Sequence, residues 1–435
     1  MGESVNRGKI ELKKVKSLKG EITPPPDKSI SHRSIMFASL AEGKSVVRNF
    51  LRAEDPISTM NAFRMLGIDV QDNGKEVVIH GNGPRGLREP FDVINCGNSG
   101  TTVRLIAGIL AGNPFFSALT GDDSLKQRPM ARVINPLKEM GAIINGRAGN
   151  KYLPIAIQGG NLKAIRYTMP MSSAQVKSCL ILAGLYAGGK TVITEPYKSR
   201  DHTERMLKAM GALIEVNNLS VSIKGGSPLR AIEVDVPADF SSAAFFIVAA
   251  LLVPGSEVMI RNVGMNPTRT GLLDVIKNMG ASVELLNRRE VSGEPVADLY
   301  CTTAGTLKAT TISKEMIPSL IDEFPILCVL VTQAEGVTNV RGAEELRVKE
   351  SDRIKAMATE LKKLGVELEE YPDGIAIKGK ASLKGSTVES YGDHRIAMSL
   401  AVASLIAEGT MTINDAACVD ISFPGFFEQL KTLCR

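Results

Sequence analysis

Tryptophan is absent from the chain, and Phe and Tyr bring the aromatic share to only 5%. Reading single-stranded nucleic acid takes aromatic platforms beside a clustered basic face, so that class of function finds no support. Charge adds none either. Fifty-two Lys and Arg against 47 Asp and Glu leave a net +5 over 435 residues, too mild for nucleic-acid binding but compatible with a small anionic substrate. The cysteines, at 96, 179, 301, 328, 418 and 434, form no C-x-x-C pair and have no His at zinc-ligand spacing. Neither a disulfide scaffold nor a structural metal is expected, and the thiols read as reduced. The most apolar runs, such as AAFFIVAALLVPG ending at Gly255, fall short of the ~18 residues of a membrane span. The segment MGESVNRGKIELKKVKSLKG lacks the apolar core of a secretory signal. The expectation is a cytoplasmic protein, without nucleic-acid or membrane partners.

What the chain does have is 44% hydrophobic residues, enough to bury a core, and a repeat. A polar start, an apolar stretch and a closing glycine recur as KSISHRSIMFASLAEG, GNSGTTVRLIAGILAG, SSAQVKSCLILAGLYAG, DFSSAAFFIVAALLVPG, DEFPILCVLVTQAEG and DHRIAMSLAVASLIAEG. Their last residues, Gly43, Gly112, Gly188, Gly255, Gly336 and Gly409, are spaced on average about 73 apart, so six units fill the chain. A second element, seen in MLGIDV, EMGAII, AMGALIEV, NMGASVEL and KLGVELE, places Gly67, Gly141, Gly211, Gly280 and Gly365 just past a helix end and before a strand. After four of these comes a short alternating run, VVIHG, LPIAIQG, VSIKG or IAIKG, readable as a half-buried strand. Each unit therefore mixes strands with two helices, one of them apolar nearly all round and so expected in the core.

Polar residues gather at the front of that buried helix, where free N–H groups and the helix dipole attract anions. Ser, Asp and Asn there are equally well explained as caps. Lys28, Arg33 and Arg104 fit less easily, because the dipole disfavours cations at a helix start, and an anion shared with the N–H groups would account for them.

Two apparent phosphate motifs are set aside. GLYAGGKT, Gly184 to Thr191, matches the P-loop pattern, but an apolar helix precedes it and a strand-like TVITEP follows, the reverse of the order a P-loop needs. GNGPRG, Gly81 to Gly86, follows a strand, but Pro90 and the irregular LREPFDV argue for a turn rather than an opening helix. No nucleotide cofactor is implied, and none of any kind is expected.

PPPDKSISHR, CGNSGTTVRL, QRPM, MSSAQVKS, IDEFP, ELRVKESDR, YGDHRIAM and SFPGF, in this order from about residue 20 onward, resemble the 5-enolpyruvylshikimate-3-phosphate synthase family. The resemblance implies an α/β fold of six βαβαββ repeats, three per domain, in a two-domain inside-out barrel. It places residues 20–237 in an N-terminal domain and residues 1–19 with 238–435 in a C-terminal one, with the active site in the cleft between them. The implied reaction joins the 5-hydroxyl of shikimate 3-phosphate to the central carbon of phosphoenolpyruvate through a tetrahedral intermediate that loses phosphate. A monomer acting on these two small molecules is expected, with the halves drawn together by ligand binding.

By the same resemblance, Lys28, Ser29, Arg33, Ser172, Ser173, Gln175, Arg200, Asp322 and Lys349 form the shikimate 3-phosphate site. Lys28, Asn98, Gly100, Thr101, Arg104, Arg128, Gln175, Arg353 and Arg395 form the phosphoenolpyruvate site. The reaction needs a base for the attacking hydroxyl and an acid for the methylene carbon. Asp322 matches the base, and Glu350 the proton donor, with Lys28 able to share that role. From its own surroundings in IDEFP, Asp322 reads only as a helix cap. His394 is read as orienting its neighbours, and His32 as structural or a ligand with equal reason; His80 and His202 have weaker cases. Gly100 leaves room for glyphosate, which is expected to compete with phosphoenolpyruvate.

The chain departs from the family pattern where Asp420 and Ile421 precede Ser422 in place of a frequent lysine, and where Leu105 replaces a proline found in some members. The related transferase acting on UDP-N-acetylglucosamine has Lys-Asn where this chain has Lys28-Ser29, and a reactive cysteine in the loop matching DDSLKQRPM, which has none. A repeat scaffold that only binds partners would not require cations at buried helix starts. A nucleic-acid-processing relative of the same repeat type meets the lack of aromatics already noted.

Overall fold

The computed structural model describes residues 8–435. The chain divides into two compact units: residues up to Pro25 with Ala238–Arg289 and Pro295–Arg435, and Pro26–Pro237 with Glu290–Glu294. The units divide at Pro25/Pro26, where the expectation was a break before residue 20. Strand Lys19–Ile22 runs parallel to Glu257–Gly264 and is hydrogen-bonded to it, which carries the chain beyond residue 20 with the C-terminal sequence. Of the expected segment 1–19, residues 1–7 lie outside the described residues.

In the unit built on Pro26–Pro237, three four-stranded sheets share one plan. Glu233–Asp235, Glu42–Arg48, Glu76–Asn82 and Asp69–Asp72 lie side by side in that order, the first pair parallel and the rest antiparallel. Ile94–Asn95, Phe116–Thr120, Tyr152–Gln158 and Ile143–Gly146 repeat it. So do Arg166–Thr168, Lys190–Thr194, Ser220–Lys224 and Ile214–Asn217. The other unit holds a fourth copy in Thr311–Ile312, Val337–Val340, Gly374–Lys378 and Leu368–Tyr371. Its two remaining sheets each recruit a strand from the start of the chain: Lys19–Ile22 as above, and Lys9–Lys13 antiparallel to Thr410–Asn414. The alternating runs seen in the sequence are the strands ending at Asn82, Gln158, Lys224 and Lys378.

The six apolar stretches are helices Lys28–Leu40, Gly100–Ala111, Ala174–Gly184, Phe240–Leu252, Phe324–Val331 and His394–Ser404. They are buried on every side, as in Phe240–Leu252, where every residue but the last is buried. Each unit has its own apolar core around three of them. Most stop short of the glycine that closes the repeat. Lys28–Leu40 ends at Leu40 and Ala41 is already extended, so Gly43 at φ +101° belongs to the following strand. Gly184 to Thr191 runs from the last helical residue through a turn into strand Lys190–Thr194, the reverse of a P-loop.

The second helices end as their glycines predict. Gly67, at φ +86°, donates to Arg64 O while Ile68 donates to Phe63 O, a Schellman closure. The same pair of bonds closes the helices before Gly141, Gly211, Gly280 and Gly365. Gly108 serves packing instead: a Cβ there would stand 2.2 Å from Cys179 O, so helices Gly100–Ala111 and Ala174–Gly184 can approach this closely only without a side chain.

Candidate functional site

Three buried helices of the Pro26–Pro237 unit begin at candidate residues. Asp27, Ser99 and Ser173 cap them through side-chain oxygens that accept from Ile30 N, Thr102 N and Val176 N at 2.8, 3.1 and 3.4 Å. Ser173, expected as a ligand, thus spends an oxygen on its own helix while its O–H stays available to donate.

The cations at these starts have protein partners. Lys28 Nζ lies 3.2 Å from Asp55 Oδ2. Arg33 is buried and donates to Ser29 O, Ser178 Oγ and Thr203 Oγ1 at 3.0, 3.0 and 2.8 Å. Arg104, fully buried, donates to Gln175 Oε1 at 2.9 Å and to Gly100 O and Pro129 O. Helix position therefore does not by itself demand an anion, and the expectation built on it is replaced by a stronger observation. A Cβ built on Gly100 would meet Arg104 Nη1 at 2.6 Å and Arg128 Nη2 at 2.8 Å. Two guanidinium groups of like charge converge on one point at a helix N-terminus, an arrangement that attracts a carboxylate or phosphate.

The neighbouring candidates join this cluster. Arg128 donates to Asn98 O, Asn98 Nδ2 to Asp122 Oδ2, and Gln175 Nε2 to Thr101 Oγ1. His32 is buried and bonded through one ring nitrogen. Its Nδ1 is 2.6 Å from Thr59 Oγ1, which leads through Thr102 to Ser99. Burial, helped by the charges of Lys28 and Arg33, holds its pKa well below the ordinary range, so it is neutral at pH 7. His80 is exposed, and His202 is buried against Glu294 at 2.8 Å. Ser172 Oγ donates to Tyr197 O and accepts from Tyr197 N, which ties it to the segment carrying Arg200.

In the other unit the candidates centre on Arg353, the first residue of helix Arg353–Lys363 and fully buried. Its Nε donates to Asp393 Oδ2 at 2.8 Å, its Nη2 to Glu350 Oε2 at 2.7 Å, and its Nη1 to Asp322 Oδ1 at 3.4 Å. Burial acts to discharge Arg353, but Asp393, Glu350 and Asp322 outweigh it and raise its pKa further. Arg395 donates to Asp322 O at 3.1 Å and sets its Nη2 3.5 Å from Asp322 Oδ2. Asp322 is therefore not the cap it resembles: Glu323 occupies that position before helix Phe324–Val331, and the Asp322 carboxylate lies between two guanidinium groups. Glu350 and Asp322 thus accept from the same guanidinium group. Lys349 sets its Nζ 2.9 Å from Glu345 Oε1.

Asp393 is the residue sequence reasoning missed. Fully buried, it caps helix His394–Ser404 through Arg395 N at 2.9 Å and also accepts from Ser351 Oγ and from Arg353 twice, through Nε and, at 3.4 Å, Nη2. The available signal was an acid directly before the His-Arg pair. Burial alone would raise its pKa; the Arg353 charge prevails and lowers it. Among the described residues no group of three or more His, Cys, Asp or Glu could hold a metal ion, and no helix is long and apolar enough to cross a membrane.

A family model described as EPSP synthase (3-phosphoshikimate 1-carboxyvinyltransferase) matches residues 12–430. A 3-phosphoshikimate 1-carboxyvinyltransferase of Thermodesulfovibrio yellowstonii is 56% identical over 424 residues, covering 97% of this chain and 99% of the relative. One from Bacillus licheniformis is 52% identical over 423 residues, with 97% and 99% covered. The solved EPSP synthase of Acinetobacter baumannii superposes with a TM-score of 0.87 at 44% identity, covering 98% of each chain.

Proposed function

Because the chain belongs to the EPSP synthase family, and so transfers the enolpyruvyl group of phosphoenolpyruvate to shikimate 3-phosphate, we propose that the clusters above divide the work of that reaction. The transfer releases phosphate and is a step of the shikimate pathway to aromatic amino acids. Two phosphates of about −1.5 to −2 each and two carboxylates bring roughly −5 to −6 to the protein. The convergence of Arg104 and Arg128 at Gly100 carries the reading, because it supplies paired donors for the smaller anion.

In this reading Asn98, Gly100, Thr101, Arg104, Arg128, Gln175, Arg353 and Arg395 receive phosphoenolpyruvate. Ser29, Arg33, Ser172, Ser173, Gln175, Arg200, Asp322 and Lys349 receive shikimate 3-phosphate, and Lys28 serves both. Asp322 takes the proton of the attacking hydroxyl, its carboxylate turned by Arg353 and Arg395. The methylene carbon receives a proton from Glu350 or Lys28 as the tetrahedral intermediate forms. The resulting methyl group gives a proton back to that same carboxylate or amine as the C–O bond to phosphate breaks and the C=C bond re-forms, the hydroxyl oxygen staying bonded to the enolpyruvyl carbon. The assigned groups come from both units and from one chain, so the reading requires no second copy. The same reading takes the six sheet-and-helix units as βαβαββ repeats, three to a domain in an inside-out barrel, and the protein as cytoplasmic, acting on neither nucleic acid nor membrane and needing no cofactor.

One experiment separates the two subsites. In Gly100→Ala the new methyl group meets Arg104, which is fully buried and held by three acceptors, so the adjustment falls on the anion site. Glyphosate, a longer ion than phosphoenolpyruvate, is expected to lose about tenfold or more in inhibition, equivalent to about 1.4 kcal/mol, while the KM for phosphoenolpyruvate moves less and that for shikimate 3-phosphate stays. Lys349→Met is expected to raise the KM for shikimate 3-phosphate and to spare that for phosphoenolpyruvate. Inhibition constants and both KM values, measured on the same preparations, check this. Equal weakening of both small ions in Gly100→Ala removes the steric argument.

A further inference from the structure

Resting on the reading that Arg33, Ser172 and Arg200 bind shikimate 3-phosphate, we infer that Lys177 is a positioning residue for that subsite. It holds the Arg200-bearing segment in place through a buried triad with Glu195 and Glu204. Lys177 lies in helix Ala174–Gly184, two residues after Gln175, and is 1% exposed. Its Nζ donates to Glu195 Oε1 at 2.9 Å and to Ser199 O at 3.1 Å, and stands 2.8 Å from Glu204 Oε1. An ammonium group has three protons to give, and these three partners use them all. Glu195 in turn takes Ser199 N at 3.1 Å and Ser199 Oγ at 2.5 Å. Residues 195–199 are thus clamped at both ends by one ammonium group, and Arg200 is the next residue along.

The same hub reaches the other two ligands. Tyr197, inside the clamped segment, exchanges backbone bonds with Ser172 Oγ. Ser178 and Thr203, the chain neighbours of Lys177 and Glu204, bond to each other at 2.7 Å and both accept from Arg33. None of the triad's charge is needed to fill space, since an aliphatic side chain would do so at lower desolvation cost. One cation shared between two carboxylates, all almost fully buried, instead ties together segments separated in sequence, at the point where three ligand groups need fixed geometry. Burial raises the Glu204 pKa against the pull of Lys177.

The full-length enzyme tests this through Lys177→Met, Lys177→Arg, Glu195→Gln and Arg200→Ala. Lys177→Met is expected to raise the KM for shikimate 3-phosphate about tenfold, the equivalent of about 1.4 kcal/mol. The KM for phosphoenolpyruvate should stay within about twofold, and Lys177→Arg, which keeps the charge, should restore part of the loss. If Lys177→Met fails to fold, Glu195→Gln decides: it keeps the shape, removes the triad's excess negative charge, and should show the same one-sided rise in KM. A folded Lys177→Met or Glu195→Gln enzyme with unchanged KM for shikimate 3-phosphate, or with both KM values raised equally, overturns the inference. Arg200→Ala keeps the two readings apart, because if it too leaves that KM unchanged, the subsite assignment itself fails.

Discussion

Asp322→Asn is expected to lower kcat by at least about 10²-fold, the lower end of what general base catalysis supplies, while both KM values change less. Asn keeps the side chain's size and an oxygen that can accept from Arg353 Nη1 or face Arg395 Nη2, the contacts now at 3.4 and 3.5 Å. It cannot take the proton of the attacking hydroxyl. Folding should survive, since Asp393 and Glu350 still neutralise Arg353. Steady-state kinetics with both substrates varied checks the split between kcat and KM. Turnover within about threefold of wild type, far above what loss of a base permits, would move the role to another group, with Glu350 the first to test.

The second large effect is on stability. Asp393→Asn replaces a carboxylate, both of whose oxygens accept from Arg353, by an amide whose N–H₂ must face either Arg353 Nε and Ser351 Oγ or Arg353 Nη2 and Arg395 N. Breaking a buried ion pair of this kind costs ~3–5 kcal/mol. The low end is expected here because Glu350 and Asp322 remain beside Arg353, and a fall of several degrees in Tm would report it. The pH dependence follows in sign. The folded-state pKa of Asp393 is lowered, Arg353 prevailing over burial. The pair's contribution is therefore present above the unfolded carboxyl value of about 3.9 and is lost as pH falls through the lower folded value. Wild type should lose this part of its stability in acid, and Asp393→Asn should lack it at every pH. Melting curves that coincide for the two proteins at neutral pH would show that the cluster is held by other means.

The six core helices and the five Schellman glycines were legible in the sequence because both are local: a run of apolar residues and a glycine one position past a helix end suffice. Helix ends were less so. A closing glycine such as Gly43 marks where the chain turns into its strand, three residues beyond the last helical one, and no local feature separates those two breaks. The site shows the same division. Its residue types could be named from motifs, but the partners of Arg33 and Arg104 lie 170 and 71 positions away, at Thr203 and Gln175. Only folding shows that these cations already have protein oxygens as partners. Asp322 looked like a cap because a carboxylate before an apolar run usually is one, and the two arginines that turn it come from other motifs. Asp393 and Lys177 escaped notice for the complementary reason. Neither needs to touch a substrate, so nothing about the chemistry asks for them.

The most direct measurement is phosphate release from phosphoenolpyruvate by the purified chain, with shikimate 3-phosphate in one reaction and UDP-N-acetylglucosamine in another. Release that depends on shikimate 3-phosphate and is absent with the sugar nucleotide is the predicted result. Release with the sugar nucleotide, or none with shikimate 3-phosphate, would contradict it.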